Sequence, residues 1–304
     1  MLITFLHQSG TFQADLSRPI DLSMLLRAGL ENANCFWAPP VEYTPVTAGD
    51  FVGSTAQGGP VNFFNVRFNP YGNGTHTECV GHIARERYVL GECLRTHHFY
   101  AKLVSLFPQK MDDGDRVILR EQVEAVFSKN EAEALIIRTL PNDALKTRTN
   151  WSGSNPPYLH HEAVAYLVDC GVQHLLLDLP SVDREEDGGA LLAHRAFWQY
   201  PGADVRSNCT ITELIFVPNE VRDGFYLLNL QTASFDLDAS PSKPVIFAVA
   251  EIETPLPNEK AAMAYSPATA ETPRLAEAVL TGDAFSLVAH GKLLLTGEYF
   301  VLDG

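Results

Sequence analysis

The sequence has few positive charges and few cysteines for a chain of 304 residues. Only 22 Lys and Arg side chains are set against 37 Asp and Glu side chains, which gives a formal net charge of -15. A surface this acidic repels phosphate backbones, so we expect no binding to nucleic acid. The five cysteines are odd in number and widely spaced, and no CxxC motif occurs. These features argue against a disulfide framework or a zinc knuckle and favour reduced, buried thiols.

Long apolar runs and a leader peptide are also lacking. No uncharged apolar stretch approaches the roughly 18 residues that a helix needs to span a bilayer. The first residues, MLITFLHQSGTFQADLS, contain no basic segment ahead of an apolar core and no A-x-A cleavage motif. We therefore expect no membrane association and a cytoplasmic location.

Apolar side chains are abundant enough to build a large core, since 46% of the residues are hydrophobic and 17 are Phe. From residue 159, LHHEAVAYLVDCGV has apolar residues at helical spacing, with Gly171 as a stop signal, and HLLLDL follows as a buried strand. A helix followed by a buried strand is typical of α/β folds. Ser23 is a candidate N-cap for a second helix in residues 24–33. The sequence therefore predicts a mixed α/β fold with much β-sheet.

The composition changes near residue 253. Residues 254–273 are rich in Pro, Ala and Thr and poor in large apolar side chains, as linkers are. Residues 274–304 again have the pattern of β-structure. We therefore expect one core domain in residues 1–253, a linker in 254–273 and a β-rich C-terminal tail in 274–304.

The densest group of potential metal ligands is GTHTECVGH, residues 74–82. Side chains at even spacing share one face of an extended segment, so His76, Glu78 and His82 can converge on one point. Imidazole and carboxylate ligands with a glycine-rich approach suit Zn²⁺ or Mn²⁺. On spacing alone, a solvated polar face explains such a pattern more often than a metal site does.

Several stretches together resemble the cyclase-like metal-dependent hydrolases, the family of bacterial kynurenine formamidase. GTHTECVGH is similar to that family's signature H-x-G-T-H-x-D-x-P-x-H, and DLSRPI, residues 15–20, is similar to its opening D-L-S-x-P-I. EAVAYLVDCGVQHLLLDLPSVD resembles its helix and D-x-P-S-x-D strand end, and AHRAFW and TITEL match its later histidine and glutamate. The ordered combination is more specific than any single motif.

This resemblance implies a swivelling β/β/α architecture and a metal-dependent hydrolase or cyclase that cleaves an amide (C–N) or ester bond of a small molecule. It implies a divalent ion, Zn²⁺ or else Mn²⁺, in one or two copies per chain, and a homo-oligomer. The implied metal ligands are His76 and Glu78, with His194 on a second ion and Glu213 as a bridge. His82 is the implied proton donor and acceptor.

Three further residues have alternative interpretations. The family places an aromatic side chain beside the substrate where Trp37 stands, although Trp37 also fits a role in packing a core edge. Asp183, in the turn after the predicted strand, suits turn capping at least as well as catalysis. Cys79 lies inside the ligand motif, but its position in an extended segment favours a buried thiol over a nucleophile.

Two positions depart from the family signature. Gly72 stands where the family has its first metal-binding histidine, and Val80 replaces the motif proline. Neither Tyr71 nor Asn73 is a good substitute ligand. Four candidate ligands remain, which suffice for one ion because catalytic sites commonly combine three protein ligands with water. The alternative is a catalytically degenerate member of the same fold that binds a small molecule or a metal.

The C-terminal tail has a resemblance of its own. Its sequence GKLLLTGEYFVLDG is similar to the opening strand pair of the GHMP small-molecule kinases. The glycine-rich phosphate loop of those kinases is absent here, so we expect no kinase activity. Because an isolated two-stranded hairpin is marginal in water, an ordered tail would need to pack on the core or on a partner.

Overall fold

The computed structural model describes residues 1–253 of the chain. Its strands are β1 Leu2–His7, β2 Gly10–Asp15, β3 Ile20–Asp21, β4 Glu42–Pro45, β5 Thr47–Ala48, β6 Phe51–Val52, β7 Phe64–Arg67, β8 His76–Glu78, β9 His98–Leu106, β10 Gln109–Lys110, β11 Arg116–Ile118, β12 Ala134–Thr139, β13 Tyr158–Leu159, β14 His174–Leu177, β15 Thr210–Glu213, β16 Gly224–Thr232 and β17 Ala239–Ile252. Its α-helices are α1 Leu90–Cys93, α2 Arg120–Glu124, α3 His161–Asp169 and α4 Leu192–Trp198. Short 3-10 helices lie at Thr55–Gln57, Val80–His82 and Ala144–Arg148.

The predicted linker (254–273) and the predicted tail (274–304) lie outside the described residues, as does the resemblance of the tail to a kinase hairpin. Within residues 1–253, no helix has the length and apolar character that a membrane span requires.

Seven strands form a closed, mixed barrel. They are hydrogen-bonded in the order β17, β16, β9, β12, β14, β15 and β8, and β8 pairs back to β17. The strands from β9 to β15 in this order are parallel, whereas β16, β17 and β8 pair antiparallel with their neighbours. The predicted mixed α/β fold is confirmed, but the sequence did not indicate that the sheet closes.

The parallel strands are buried on both faces. Every residue of β12 (ALIIRT) and of β14 (HLLL) is buried, as expected for strands that are covered on both sides. Helix α3 packs Ala163, Val164 and Leu167 against this core, and Gly171, at φ 88°, follows its end. The helix and the strand predicted in this region are both confirmed.

Residues 24–33 are not helical, so the second predicted helix is wrong. The backbone N–H of Met24 donates to Oγ1 of Thr75 over 2.8 Å, and that of Arg27 donates to Oδ1 of Asn32 over 2.7 Å. Because side chains take these N–H groups, they are not available for helical hydrogen bonds. The segment is instead tied to Thr75, the residue before β8.

Candidate metal centre

Strand pairing brings the first three candidate ligands together. His76 and Glu78 are the two ends of β8, on the same face of the strand, and Glu213 ends the neighbouring strand β15. The antiparallel register places Glu213 directly opposite His76, and Nε2 of His76 lies 3.4 Å from Oε2 of Glu213. Nδ1 of His76 lies 3.1 Å from the Gly74 carbonyl oxygen and donates to it, which leaves Nε2 facing the carboxylates.

Helix α4 brings His194 to the same cluster. Its Nε2 atom lies 3.1 Å from Oε1 of Glu78, and its Nδ1 atom lies 2.6 Å from Oδ2 of Asp183. The carboxylate of Asp183 also accepts the backbone N–H groups of Ala193 and His194. Asp183 therefore caps the first turn of α4 and orients His194 at the same time. The capping role was predicted, whereas the contact with His194 was not.

His82 lies at the edge of the cluster, on the 3-10 turn Val80–His82. Its Nδ1 atom lies 3.4 Å from Oε2 of Glu78 and 3.7 Å from Oδ2 of Asp238. The side chain of His82 is 31% accessible, whereas His76 and Glu78 are each 1% accessible. His82 is therefore placed to exchange protons with solvent or with a bound molecule, and the more deeply buried side chains are not.

The electrostatic setting of the cluster favours a bound cation. Burial raises the pKa of Glu213, and the nearby carboxylate of Glu78 raises it further. Burial opposes charge on Glu78 too, but His82 and His194 lower its pKa overall. Burial also opposes charge on His194, yet hydrogen bonds to Asp183 and Glu78 raise its pKa to about 10. Protons on His194 and on Glu213 thus offset the negative charge of the cluster, and a divalent ion would take their place.

Two overlapping groups of side chains have donor atoms within 4.8 Å of one another. One group is His76, Glu78 and Glu213, and the other is Glu78, His82 and His194. Glu78 belongs to both groups, whereas Glu213 belongs to one. The structure thus brings together all four predicted ligands and His82, while the bridging role of Glu213 stays a prediction.

A cavity of about 320 Å³ opens onto this cluster. Its walls combine the candidate ligands with apolar, aromatic and charged side chains. The lining residues are Phe36, Tyr71, His76, Glu78, His82, Ser181, Asp183, Arg184, Glu185, Asp187, Leu191, His194 and Glu213. The volume is at the small end of the range for small-molecule sites, about 300 to 1,000 Å³.

Gly72, which stands at the position of the family's first metal ligand, has no room for a side chain. A Cβ atom on Gly72 would lie 2.4 Å from Cβ of Ala38 and 3.0 Å from the carbonyl oxygen of Cys35. A histidine therefore does not fit at this position unless the segment around Ala38 moves. The side chain of Asn73 is also engaged, because its Oδ1 atom accepts the backbone N–H of Asn69 over 2.7 Å. Tyr71 lines the cavity, but its hydroxyl donates to Asp238.

The structure places Trp37 outside the cavity wall and brings its neighbour Phe36 into it. Trp37 is 66% exposed, and its backbone N–H donates to Oγ of Ser152 over 2.9 Å. Its contact with a substrate stays a prediction.

Cys79 is fully buried, as predicted. Asp238 was missed because no local pattern links it to His82, which lies far away in the sequence.

The comparisons with known proteins agree with this architecture. A family described as "Putative cyclase" matches residues 14–184, a range that contains His76, Glu78 and His82. No curated sequence matches the chain. A solved structure described as a potential metal-dependent hydrolase with cyclase activity is 14% identical, has a TM-score of 0.55, and the match covers 76% of this chain and 97% of that one.

Two further solved structures are similar in fold. An isatin hydrolase bound to the product analogue thioisatinate is 11% identical, with a TM-score of 0.55 and coverage of 76% of this chain and 92% of that one. Isatin hydrolase A from Ralstonia solanacearum is 11% identical, with a TM-score of 0.54 and coverage of 77% and 92%. At these identities the similarity shows a shared fold.

Proposed function

Because the chain belongs to the Putative cyclase family, we propose that it is a metal-dependent hydrolase that cleaves an amide (C–N) or ester bond of a small molecule. The observation that carries this proposal is the convergence of three histidines and two glutamates at one cavity, from β8, β15, α4 and the turn after β8. The descriptions of the structural relatives, a potential metal-dependent hydrolase and isatin hydrolases, support the same class of reaction.

The residues present fit a divalent ion. Imidazole nitrogens and carboxylate oxygens are ligands that Zn²⁺ and Mn²⁺ accept. Asp183 holds Nδ1 of His194, and the Gly74 carbonyl oxygen holds Nδ1 of His76, so both rings turn Nε2 toward the carboxylates. Such outer hydrogen bonds are the usual support of a metal-binding histidine. We propose Zn²⁺, with Mn²⁺ as the other candidate, in one or two copies held by His76, Glu78, His194 and Glu213.

The chain's own residues divide the remaining work. When bound, a divalent ion supplies Lewis-acid polarisation of a carbonyl group and acidifies water. His82 moves a proton between water and the leaving group, because it is the accessible imidazole of the cavity. Phe36 and Leu191 offer apolar contact to a substrate. The guanidinium of Arg184 also lines the cavity, but it is paired with Asp115 over 2.8 Å. This cavity wall suits a small, partly apolar substrate with a polar end.

Metal analysis followed by an activity panel tests the proposal. Protein purified without chelators or metal-affinity resin is analysed by mass spectrometry for ions per chain. It is then loaded with Zn²⁺ or Mn²⁺ and incubated with isatin, N-formyl amides, esters and lactones. We expect one or two ions per chain and turnover that His82→Ala lowers by about 100-fold or more. Absence of turnover from the whole panel by the loaded protein would refute the enzymatic proposal.

Gly72 supports a second candidate, a member of the fold that binds a small molecule or a metal without catalysis. The closed packing at Gly72 removes one ligand of the family signature. This candidate predicts a ligand-induced thermal shift with no turnover, and the shift would be unaffected by His82→Ala. A loss of turnover in His82→Ala would instead support the enzyme.

Three expectations about architecture also remain proposals. We propose that the catalytic domain ends near residue 253 and is followed by the linker and the tail. We propose that it has the swivelling β/β/α arrangement and that it assembles as a homo-oligomer. Light scattering of the full chain checks the assembly, and limited proteolysis near residue 253 checks the boundary.

A further inference from the structure

Asp238 connects two residues of the cavity wall. It precedes β17, and its Oδ1 atom accepts the hydroxyl of Tyr71 over 3.0 Å. Its Oδ2 atom lies 3.7 Å from Nδ1 of His82. Tyr71 and His82 line the cavity, whereas Asp238 is not among the lining residues. The carboxylate of Asp238 thus contacts two lining residues without lining the cavity itself.

Two carboxylates face the same ring nitrogen of His82. Oε2 of Glu78 lies 3.4 Å from Nδ1, only slightly nearer than Oδ2 of Asp238. Glu78, however, belongs to both groups of candidate metal ligands, and Asp238 belongs to neither. When Glu78 binds an ion, Asp238 is the carboxylate that remains for the Nδ1–H group of His82.

The backbone fixes the separation between Asp238 and the turn that carries His82. The N–H of Cys79 donates to the carbonyl oxygen of Asp238 over 3.0 Å, and Ala239 pairs with Glu78 in the barrel. A Cβ atom on Gly81 would lie 2.7 Å from Cβ of Asp238, so the two segments are in direct contact. The carboxylate is therefore held in place by secondary structure and by the Tyr71 hydroxyl.

We propose that Asp238, held by Tyr71, is the positioning residue of His82. Its carboxylate, 3.7 Å from Nδ1, is the acceptor that the Nδ1–H group faces, and this sets the tautomer in which Nε2 is the atom that exchanges protons with the bound molecule. Its effect on the reaction rests on the proposed function, and its effect on the tautomer rests on the ion that engages Glu78 in that function. Asp238 lies outside residues 14–184, which match the family.

The direct test is the tautomer of His82 in the full chain loaded with Zn²⁺, at a pH at which the ring is neutral, read from the ¹⁵N chemical shifts of its two ring nitrogens by NMR. The native protein should show the Nδ1–H tautomer. In Asp238→Asn, the oxygen of the amide accepts from Tyr71, so its NH₂ group faces Nδ1 and should switch His82 to the Nε2–H tautomer. Asp236→Asn is the matched control, because Asp236 is an exposed residue that pairs with Arg87. An unchanged tautomer in Asp238→Asn overturns the proposal.

A double-mutant cycle tests the same relationship through catalysis. Asp238→Asn should lower kcat by about 100-fold with little change in KM, and it should have no further effect in the His82→Ala background. An equal loss in both backgrounds would mean that Asp238 acts independently of His82, which contradicts the proposal. So would a loss of bound metal in Asp238→Asn.

The NMR test and the double-mutant cycle distinguish a failure of the proposed function from a failure of the role proposed for Asp238. If the Zn²⁺-loaded protein turns over no substrate, the proposed reaction fails, and the NMR measurement on the same protein still decides the role of Asp238. Tyr71→Phe serves as the second variant, because it removes the hydroxyl that holds Asp238 and keeps the ring. It should give a mixture of the two tautomers of His82, and a shift pattern identical to that of the native protein would count against the role of Tyr71.

Discussion

The carboxylate of Asp183 lies 2.6 Å from Nδ1 of His194, and both residues are buried. Because this carboxylate also accepts two backbone N–H groups at the start of α4, its position is fixed by the helix that it caps. The ring of His194 is thereby oriented with Nε2 toward Glu78. A residue outside the predicted ligand set thus determines the geometry of one ligand.

Asp183→Asn should weaken metal binding by about 10- to 100-fold, as the loss of an outer hydrogen-bond partner typically does. The amide can accept one bond but no longer carries the charge that favours the oriented ring. Competition with a chromogenic chelator measures the change in Kd. Glu186→Gln is the control, since it alters an exposed carboxylate of the same loop. Equal affinity for native and Asp183→Asn proteins would mean that His194 is not a ligand.

His76→Ala should abolish metal retention, because it removes a buried imidazole from the cluster. His160→Ala should leave metal retention nearly intact, since His160 is 37% accessible and pairs with Glu162, away from the cavity lining. The measurement is the number of ions per chain after gel filtration. Similar losses in the two variants would show that the ligand assignment is wrong.

Gly72→Ala should destabilise the fold by about 1 to 3 kcal/mol, the usual cost of overpacking. The added methyl group would lie 2.4 Å from Cβ of Ala38. Gly91→Ala is the matched control: Gly91 lies in α1 with no atom within 4 Å of an added Cβ, so alanine should be neutral or stabilising there. Urea unfolding measures both. An unchanged midpoint for Gly72→Ala would show that the segment around Ala38 moves easily, which contradicts the closed packing at Gly72.

The sequence was informative where structure is set locally. The apolar spacing around Val164 and Leu167 identified α3, and the buried run after it identified β14. Residues 24–33 have a helical pattern too, but there a distant hydroxyl, that of Thr75, and a nearby amide take the backbone N–H groups. Closure of the barrel depends on pairing between β8 and β17, which are far apart in sequence and share no local signal.

The same distinction applies to the candidate site. His76, Glu78 and His82 lie in one short motif, so their spacing indicated a shared face. His194 and Glu213 were assigned only through the family resemblance. Asp238 is brought to His82 by the pairing of β17 with β8, and no spacing rule relates the two residues. Residues that orient the ligands were therefore harder to predict than the ligands themselves.

His174 should make the protein less stable in acid. It is 2% exposed, its Nδ1 atom lies 2.8 Å from Oγ1 of Thr210, and its ring centroid lies 3.9 Å from that of Phe99. Burial lowers its pKa to about 3, with a further contribution from the charge of Arg206. In the unfolded chain a histidine has a pKa of about 6.5.

The unfolded state therefore binds more protons than the native state between these two pKa values. Stability from this site is fully present above a pH of about 6.5 and falls as the pH drops toward 3, by up to about 1.4 kcal/mol per pH unit. Between pH values of about 7 and about 5, His174 should account for a loss of about 2 kcal/mol in the free energy of unfolding.

In His174→Asn this part of the pH dependence should disappear. His98→Asn, at an exposed site, should keep it. Urea unfolding at the two pH values measures the difference, and identical pH dependence in the native and His174→Asn proteins would show that His174 is protonated in the folded state.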